Sequence, residues 1–224
     1  MKDFNLDLHL VTDRGLSCGR LLLEIVRAAV AGGISVVQLR EKDCSTRDFL
    51  DLGRAVAAEL KGRSVPLLIN DRVDIALAIG ADGVHLGQSD MPYPMARMLL
   101  GPAALIGLSV ESVADALAAE SLDVAYLGIS PVYSTATKTD LKEPLGLAGI
   151  RDIRAISRHR LVAIGGIHAG NTRDILDAGA HGVAVVSAIC SAGDPGQAAR
   201  EIRRQISAAR EGKRSHSGAA TAPE

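Results

Sequence analysis

The stretch Val36-Val37-Gln38-Leu39-Arg40-Glu41-Lys42-Asp43 begins like a buried strand and turns, within a few residues, into a cluster of amide, cations and carboxylates. Charges left unpaired near a core are costly, so such an ending needs a cause. Either the strand surfaces into an ordinary salt-bridged loop, or several strands deliver polar ends to one place. The rest of the chain decides between them.

Reading outward, short apolar runs at 6–11, 34–39, 66–69, 83–86, 105–108, 124–129, 161–164 and 182–186 alternate with amphipathic stretches of helical period. A glycine separates helix from strand in Ala31-Gly32-Gly33-Ile34, Ile79-Gly80-Ala81-Asp82-Gly83 and Ala178-Gly179-Ala180-His181-Gly182. These junctions recur at multiples of about 25 residues, the length of one β/α unit. A single α/β domain is therefore expected over residues 1–210, a (β/α)8 TIM barrel, with an open doubly wound sheet as the alternative. Residues 211–224 are small and polar and are expected to form a disordered tail.

Composition agrees with an aliphatic barrel interior. Apolar residues make up 47% of the 224, yet only two Phe and three Tyr are aromatic. The formal net charge is -1, so no overall field recruits nucleic acid or a membrane surface, and neither is an expected partner. Any anion must be held locally. Cys18, Cys44 and Cys190 lie far apart without metal-ligand spacing, as suits buried residues in a reducing compartment. The N-terminus lacks a signal peptide's apolar stretch and no run is long enough to span a bilayer, so a soluble, cytoplasmic protein is expected.

In a barrel, the C-terminal ends of all strands open on one mouth. Those ends carry Gln38, Arg40 and Lys42; Asn70 and Asp71; Gln88 and Asp90; Ser109; a polar loop over 130–144; Gly165-Gly166; and Ser187. The opposite rim holds mostly glycine and alanine, an asymmetry that favours a shared site. Asp71 and Asp90 follow adjacent strands, and a hard cation such as Mg2+ would satisfy both; each could instead cap the helix after it. Arg40, Lys42 and Lys138 would complete a site for a polyanion such as a diphosphate. Gly166 and Ser187, after the seventh and eighth strands, stand where many barrels hold a phosphate through backbone N–H groups. Two anion sites in one mouth point to the joining of two phosphorylated substrates. His85 and His181 are expected to be structural, with His168 left open.

The segments Gln38-Leu39-Arg40-Glu41-Lys42, Ile69-Asn70-Asp71, Gly83-Val84-His85-Leu86-Gly87-Gln88-Ser89-Asp90, Ile106-Gly107-Leu108-Ser109, Thr135 to Lys138 with Pro144-Leu145-Gly146, Ala163-Ile164-Gly165-Gly166-Ile167 and Val183-Ala184-Val185-Val186-Ser187-Ala188-Ile189 resemble, in this order, those of the thiamine phosphate synthase family. The resemblance spans residues 36–189. It implies a transferase of thiamine biosynthesis that joins 4-amino-2-methyl-5-hydroxymethylpyrimidine diphosphate to 4-methyl-5-(2-phosphooxyethyl)thiazole, or its carboxylated form. The products are thiamine phosphate and diphosphate.

By the same resemblance Gln38, Leu39, Arg40, Glu41, Lys42, Asn70, Ser109 and Lys138 bind the pyrimidine diphosphate. Of these, Arg40, Lys42, Ser109 and Lys138 serve the chemistry. Asp71 and Asp90 hold Mg2+, and Thr135, Ala136, Thr137, Gly166, Val186 and Ser187 bind the thiazole phosphate. The reaction it implies is dissociative, with diphosphate leaving before the thiazole nitrogen attacks. One departure is Ser134 in Ser134-Thr135-Ala136-Thr137, where many relatives are expected to carry proline. A thiazole tautomerase, a non-catalytic paralogue and a sugar-phosphate isomerase are the competing readings. The diphosphate set of Arg40, Asp71, Asp90 and Lys138 argues against the first two, and the third would need one phosphate site and an acid–base pair instead of a second anion site. A homo-oligomer is compatible with the sequence.

Overall fold

In the computed structural model, which describes residues 4–135 and 143–218 with side chains through 212, eight parallel strands close into a barrel in sequence order. They are β1 (Leu8–Val11), β2 (Val36–Leu39), β3 (Leu67–Asn70), β4 (Gly83–Leu86), β5 (Leu105–Val110), β6 (Tyr126–Ile129), β7 (Leu161–Ile164) and β8 (Gly182–Val185). The last pairs with the first through Leu8 with Val183 and His9 with Ala184. The closed ring excludes the open-sheet alternative.

The helices between them are α1 (Leu22–Ala31), α2 (Thr46–Leu60), α3 (Val73–Ile79), α4 (Tyr93–Leu100), α5 (Val113–Ala119), α6 (Gly146–Ile156) and α7 (Ala169–Asp177). Their apolar faces pack on the outward residues of the strands, Leu10, Val37, Ile69, Val84 and Ile106 among them, to form the larger core cluster. A second cluster inside the barrel contains Val36, Leu68, Leu105, Tyr126, Val162 and Ala184. Successive residues on a strand point to opposite faces, so one strand serves both cores. The junction glycines Gly33, Gly80 and Gly179 have positive φ, the left-handed backbone that glycine accepts where a helix ends.

Three features depart from expectation. A 3-10 turn at Arg14–Leu16 follows β1, with the Asp13 side chain accepting from the Leu16 N–H. A four-residue helix, α8 (Ser187–Cys190), follows β8, an element that the alternation of strands and helices did not mark. The final helix, α9 (Pro195–Gly218), continues beyond Arg210 into the stretch assigned to a disordered tail. Side chains of α9 explain its attachment up to that point: Arg203 and Arg210 both pair with Asp7, a buried carboxylate just before β1. Among the described residues, no helix is long and apolar enough to cross a membrane. The three cysteines are free, but Cys18 is exposed and not buried as expected.

The barrel interior is not wholly aliphatic. Tyr126 projects inward from β6 and is buried, and a Cβ at Gly107 on the neighbouring strand would stand 2.3 Å from its Cζ. Likewise a Cβ at Gly128 would stand 2.9 Å from Cε1 of His85. These two glycines make the space in which an aromatic ring and an imidazole fit. His9 meets the Tyr126 ring edge-on at 5.1 Å, and among the described residues neither of its ring nitrogens has a hydrogen-bond partner.

Burial, with help from His85 and Arg160, holds the His9 pKa down at about 3, whereas the unfolded chain protonates it near 6.5. The native state therefore binds fewer protons below pH 6.5. His9 costs stability as the pH falls from about 6.5 toward 3, by up to roughly 1.4 kcal/mol per pH unit. His9→Leu is expected to lose less stability than the wild type between pH 7 and pH 5 in urea unfolding. Equal losses in the two proteins would remove His9 as the cause.

Candidate active site

The C-terminal ends of the strands surround a cavity of about 510 Å³. Its floor holds a pair of buried amides: Gln38 at the end of β2 donates from Nε2 to Oδ1 of Asn70 on β3 at 2.7 Å. Both side chains point inward because they alternate with Leu39 and Ile69, which face the helices. The bond fixes the orientation of each amide and leaves the Gln38 carbonyl and the Asn70 amino group available for a ligand.

On the wall formed by β1 and β2, Arg40 donates to Oδ2 of Asp13 at 2.8 Å, and its backbone N–H donates to Oγ1 of Thr12 at 2.9 Å. Lys42 extends over β3 and pairs with Oδ2 of Asp71 at 2.6 Å. Asp71 itself adopts φ 62°, an uncommon conformation for a residue other than glycine. Its N–H donates to the His85 carbonyl at 2.9 Å, so the strained turn is tied to β4.

Asp90 comes from the turn after β4 and accepts from the Gly87 N–H at 2.6 Å. Burial raises its pKa, and the neighbouring Asp71 carboxyl raises it further, while Gly87 and Lys42 act the other way. The two carboxyls are thus close enough to repel when both are ionised. Neither caps a helix: α3 is preceded by Arg72 and α4 by Pro92, with no side-chain cap at either. A cation between the carboxyls would remove their repulsion. Among the described residues no group of three or more His, Cys, Asp or Glu assembles as a metal site. The pair alone suits magnesium, which takes one or two carboxylates and fills its remaining positions with water and phosphate oxygens.

Ser109 lies at the end of β5, and its Oγ is 2.8 Å from Nε2 of His85. On the other side of the ring, Nδ1 of His85 is 2.8 Å from the Tyr126 hydroxyl. The cavity's far side is made by Ile164-Gly165-Gly166 after β7, by Val186 and Ser187 after β8, and by Thr135. Gly165 and Gly166 have φ values of 105° and 65°. A Cβ at Gly166 would stand 2.8 Å from Cβ of Tyr133 and 2.9 Å from the Ser134 carbonyl oxygen. Only glycine permits this turn to press against the loop that follows β6.

A family model described as thiamine monophosphate synthase matches residues 8–189. The chain belongs to the thiamine monophosphate synthase family. It is 54% identical over 203 residues to a thiamine-phosphate synthase of Albidiferax ferrireducens, covering 91% of this chain and 93% of that one. It is 49% identical to the synthase of Syntrophomonas wolfei over 91% and 98% of the two chains. Among solved structures, thiamine phosphate pyrophosphorylase from Pyrococcus furiosus superposes with a TM-score of 0.83 at 37% identity, over 91% and 96% of the chains.

Most of the positions expected from the family's motifs converge. Gln38, Arg40, Lys42, Asn70, Asp71 and Asp90 line one side of the cavity, and Ser109, Thr135, Gly166, Val186 and Ser187 line the rest. Two do not. Leu39 is fully buried between sheet and helices, and the Glu41 side chain, only 4% exposed, turns to Nε of Arg14 at 3.2 Å. Neither side chain is among those lining the cavity, so substrate contact by these side chains is not what the geometry offers. Glu41 also leaves the orientation of Arg40 to Asp13. Ala136, Thr137 and Lys138 lie outside the described residues.

His181 is structural as expected, its Nδ1 accepting from the Leu161 N–H at 3.0 Å. His168 forms a capping box with Asn171 at the start of α7. His85 is different, since it lines the cavity as well as standing in a strand. Its inward direction was recoverable from alternation, because Val84 and Leu86 on either side face the helices. Asp13 had no comparable signal: it follows β1 in a turn that composition does not mark.

Gly166→Ala would force a side chain into a backbone of φ 65° and against the loop over 133–134. The expected result is a KM for the phosphorylated second substrate raised about tenfold or more, with the far-ultraviolet circular dichroism unchanged. An unaltered KM would detach this turn from anion binding.

Proposed function

We propose that the chain condenses 4-amino-2-methyl-5-hydroxymethylpyrimidine diphosphate with 4-methyl-5-(2-phosphooxyethyl)thiazole, giving thiamine phosphate and diphosphate. The observation that carries the reading is the presence, in one mouth, of a cationic and carboxylate wall from β2, β3 and β4 facing a diglycine turn after β7. The first suits a diphosphate with its metal, and the second suits a phosphate monoester held by backbone N–H groups. Family membership adds the identity of the substrates.

On this reading Gln38 and Asn70 grip the aminopyrimidine end, oriented by their mutual hydrogen bond. Arg40, Lys42, Ser109 and Lys138 hold the diphosphate, while Gly166, Val186, Ser187 and the segment 135–137 hold the thiazole phosphate. Asp71 and Asp90 would hold Mg2+, which would neutralise charge on the diphosphate; Lys42 already pairs with Asp71 beside that position.

The reacting bond joins the pyrimidine methylene carbon to a diphosphate oxygen. As it breaks, the electron pair leaves with the oxygen and the carbon becomes cationic, so fixed cations around the departing group stabilise the step. The thiazole nitrogen then donates its lone pair to that carbon. No protein nucleophile is needed, in keeping with a mouth rich in anion-binding groups. Burial of the pocket floor limits the access of water to the carbon. The same reading places the protein in the cytoplasm, with these two small molecules as its partners.

Purified protein with both substrates and Mg2+ is expected to form thiamine phosphate and diphosphate in equal amounts, and chelation of the metal should stop it. Absence of product from a folded sample would end the proposal. Asp71→Ala and Lys138→Ala are each expected to lower kcat by roughly 100-fold with the thermal midpoint little changed. Wild-type rates in both variants would show that the diphosphate lies elsewhere.

A further inference from the structure

Tyr126 lies beneath the cavity and is not one of the residues that line it. Its phenol is fully buried, and burial drives its pKa far above the ordinary value, so the hydroxyl keeps its proton. Among the described residues the hydrogen-bond partner of that hydroxyl is Nδ1 of His85, at 2.8 Å. A buried O–H that only accepted would leave its own hydrogen unpaired, at a cost of about 1–3 kcal/mol. The hydroxyl therefore donates to Nδ1, and the neutral imidazole must carry its hydrogen on Nε2.

That hydrogen points at Oγ of Ser109, 2.8 Å away. With Oγ already accepting from His85, the serine's own hydrogen is released from the ring and turned toward the cavity that Ser109 lines. We propose that Tyr126 is a positioning residue for the coupling reaction: by fixing the Nε2–H tautomer of His85, it makes Ser109 a hydrogen-bond donor to the diphosphate. The opposite tautomer would have the serine donate to Nε2 and present only lone pairs to an anion. Lone pairs facing phosphate oxygens repel, so one proton position separates a binding site from an obstructed one.

The packing supports a dedicated arrangement. Gly107 and Gly128 leave the space that the phenol and the imidazole occupy. The His85 and Tyr126 rings lie nearly parallel, with an interplanar angle of 25° and centroids 5.5 Å apart, while His9 closes the chain from below. Every rotatable group between Tyr126 and Ser109 is thus confined. Gln88, which donates from Nε2 to the Ser109 carbonyl at 2.5 Å, Glu111 at the rim and Asn70, paired across β3 and β4 with His85, are polar neighbours on this wall.

The inference rests on Ser109 contacting the diphosphate, so both are tested together. Tyr126→Phe keeps the ring and removes the hydroxyl. It is expected to lower kcat about five- to tenfold, with little change in KM for the thiazole phosphate. Ser109→Ala should show a comparable loss, and the double variant should be no worse than Ser109→Ala alone, because Tyr126 acts through the serine. Nitrogen-15 spectra of the wild type should show His85 protonated at Nε2, with Tyr126→Phe giving a mixture of tautomers.

A wild-type rate in Tyr126→Phe alongside a slow Ser109→Ala would overturn the positioning role and leave the serine contact standing. A wild-type rate in Ser109→Ala would overturn that contact itself. Should Tyr126→Phe fail to fold, the wild-type spectrum still decides, since a hydrogen found on Nδ1 refutes the proposal.

Discussion

Closure of eight parallel strands in sequence order is the constraint on which everything else in this protein depends. A closed parallel sheet has no edge and must direct all its C-terminal ends to one side. Polar residues that end β2, β3, β4 and β5 are then gathered by the barrel itself, and pair across strands once there. The same closure forces alternate side chains into a narrow interior, where only shape-matched residues fit. Function and packing are therefore set by one geometric condition, acting at different depths of the barrel.

At the middle depth that condition produces an uncommon solution. An all-aliphatic interior would be simpler to bury than Tyr126, His85 and His9, and His9 has no hydrogen-bond partner among the described residues. The glycines at 107 and 128 give up side-chain packing so that the ring and imidazole can enter. Such a polar column carries a cost in acid, when His9 must stay neutral. What it provides is a rigid connection between the interior and Ser109 at the cavity wall.

At the mouth, three charges are paired with a neighbour before any ligand arrives. Arg40 is held by Asp13, Lys42 by Asp71, and Glu41 by Arg14. Among the described residues the Asp71 and Asp90 carboxyls are set against each other, and the Asp90 pKa is raised first by burial and then by that opposition. On the proposed function, such a site is preorganised for a polyanion with a divalent cation, because the cation would relieve the opposition of Asp71 and Asp90.

The sequence by itself determined the barrel, the strand order and most of the cavity wall. Hydrophobic periodicity and the junction glycines at 33, 80 and 179 are local signals, and the barrel rule converts strand ends into a common mouth. Those signals also placed Gln38, Arg40, Lys42, Asn70, Asp71, Asp90, Ser109, Gly166 and Ser187. Only the tertiary structure decided that Glu41 turns away to Arg14, that Asp13 holds Arg40, and that His85 links Tyr126 to Ser109. It also carried the last helix to Gly218, past the point where small polar residues had read as a tail. The reason is physical: direction along a strand is written in the order of residues, whereas the partner of a side chain is fixed by which neighbouring strand and loop reach it across the barrel.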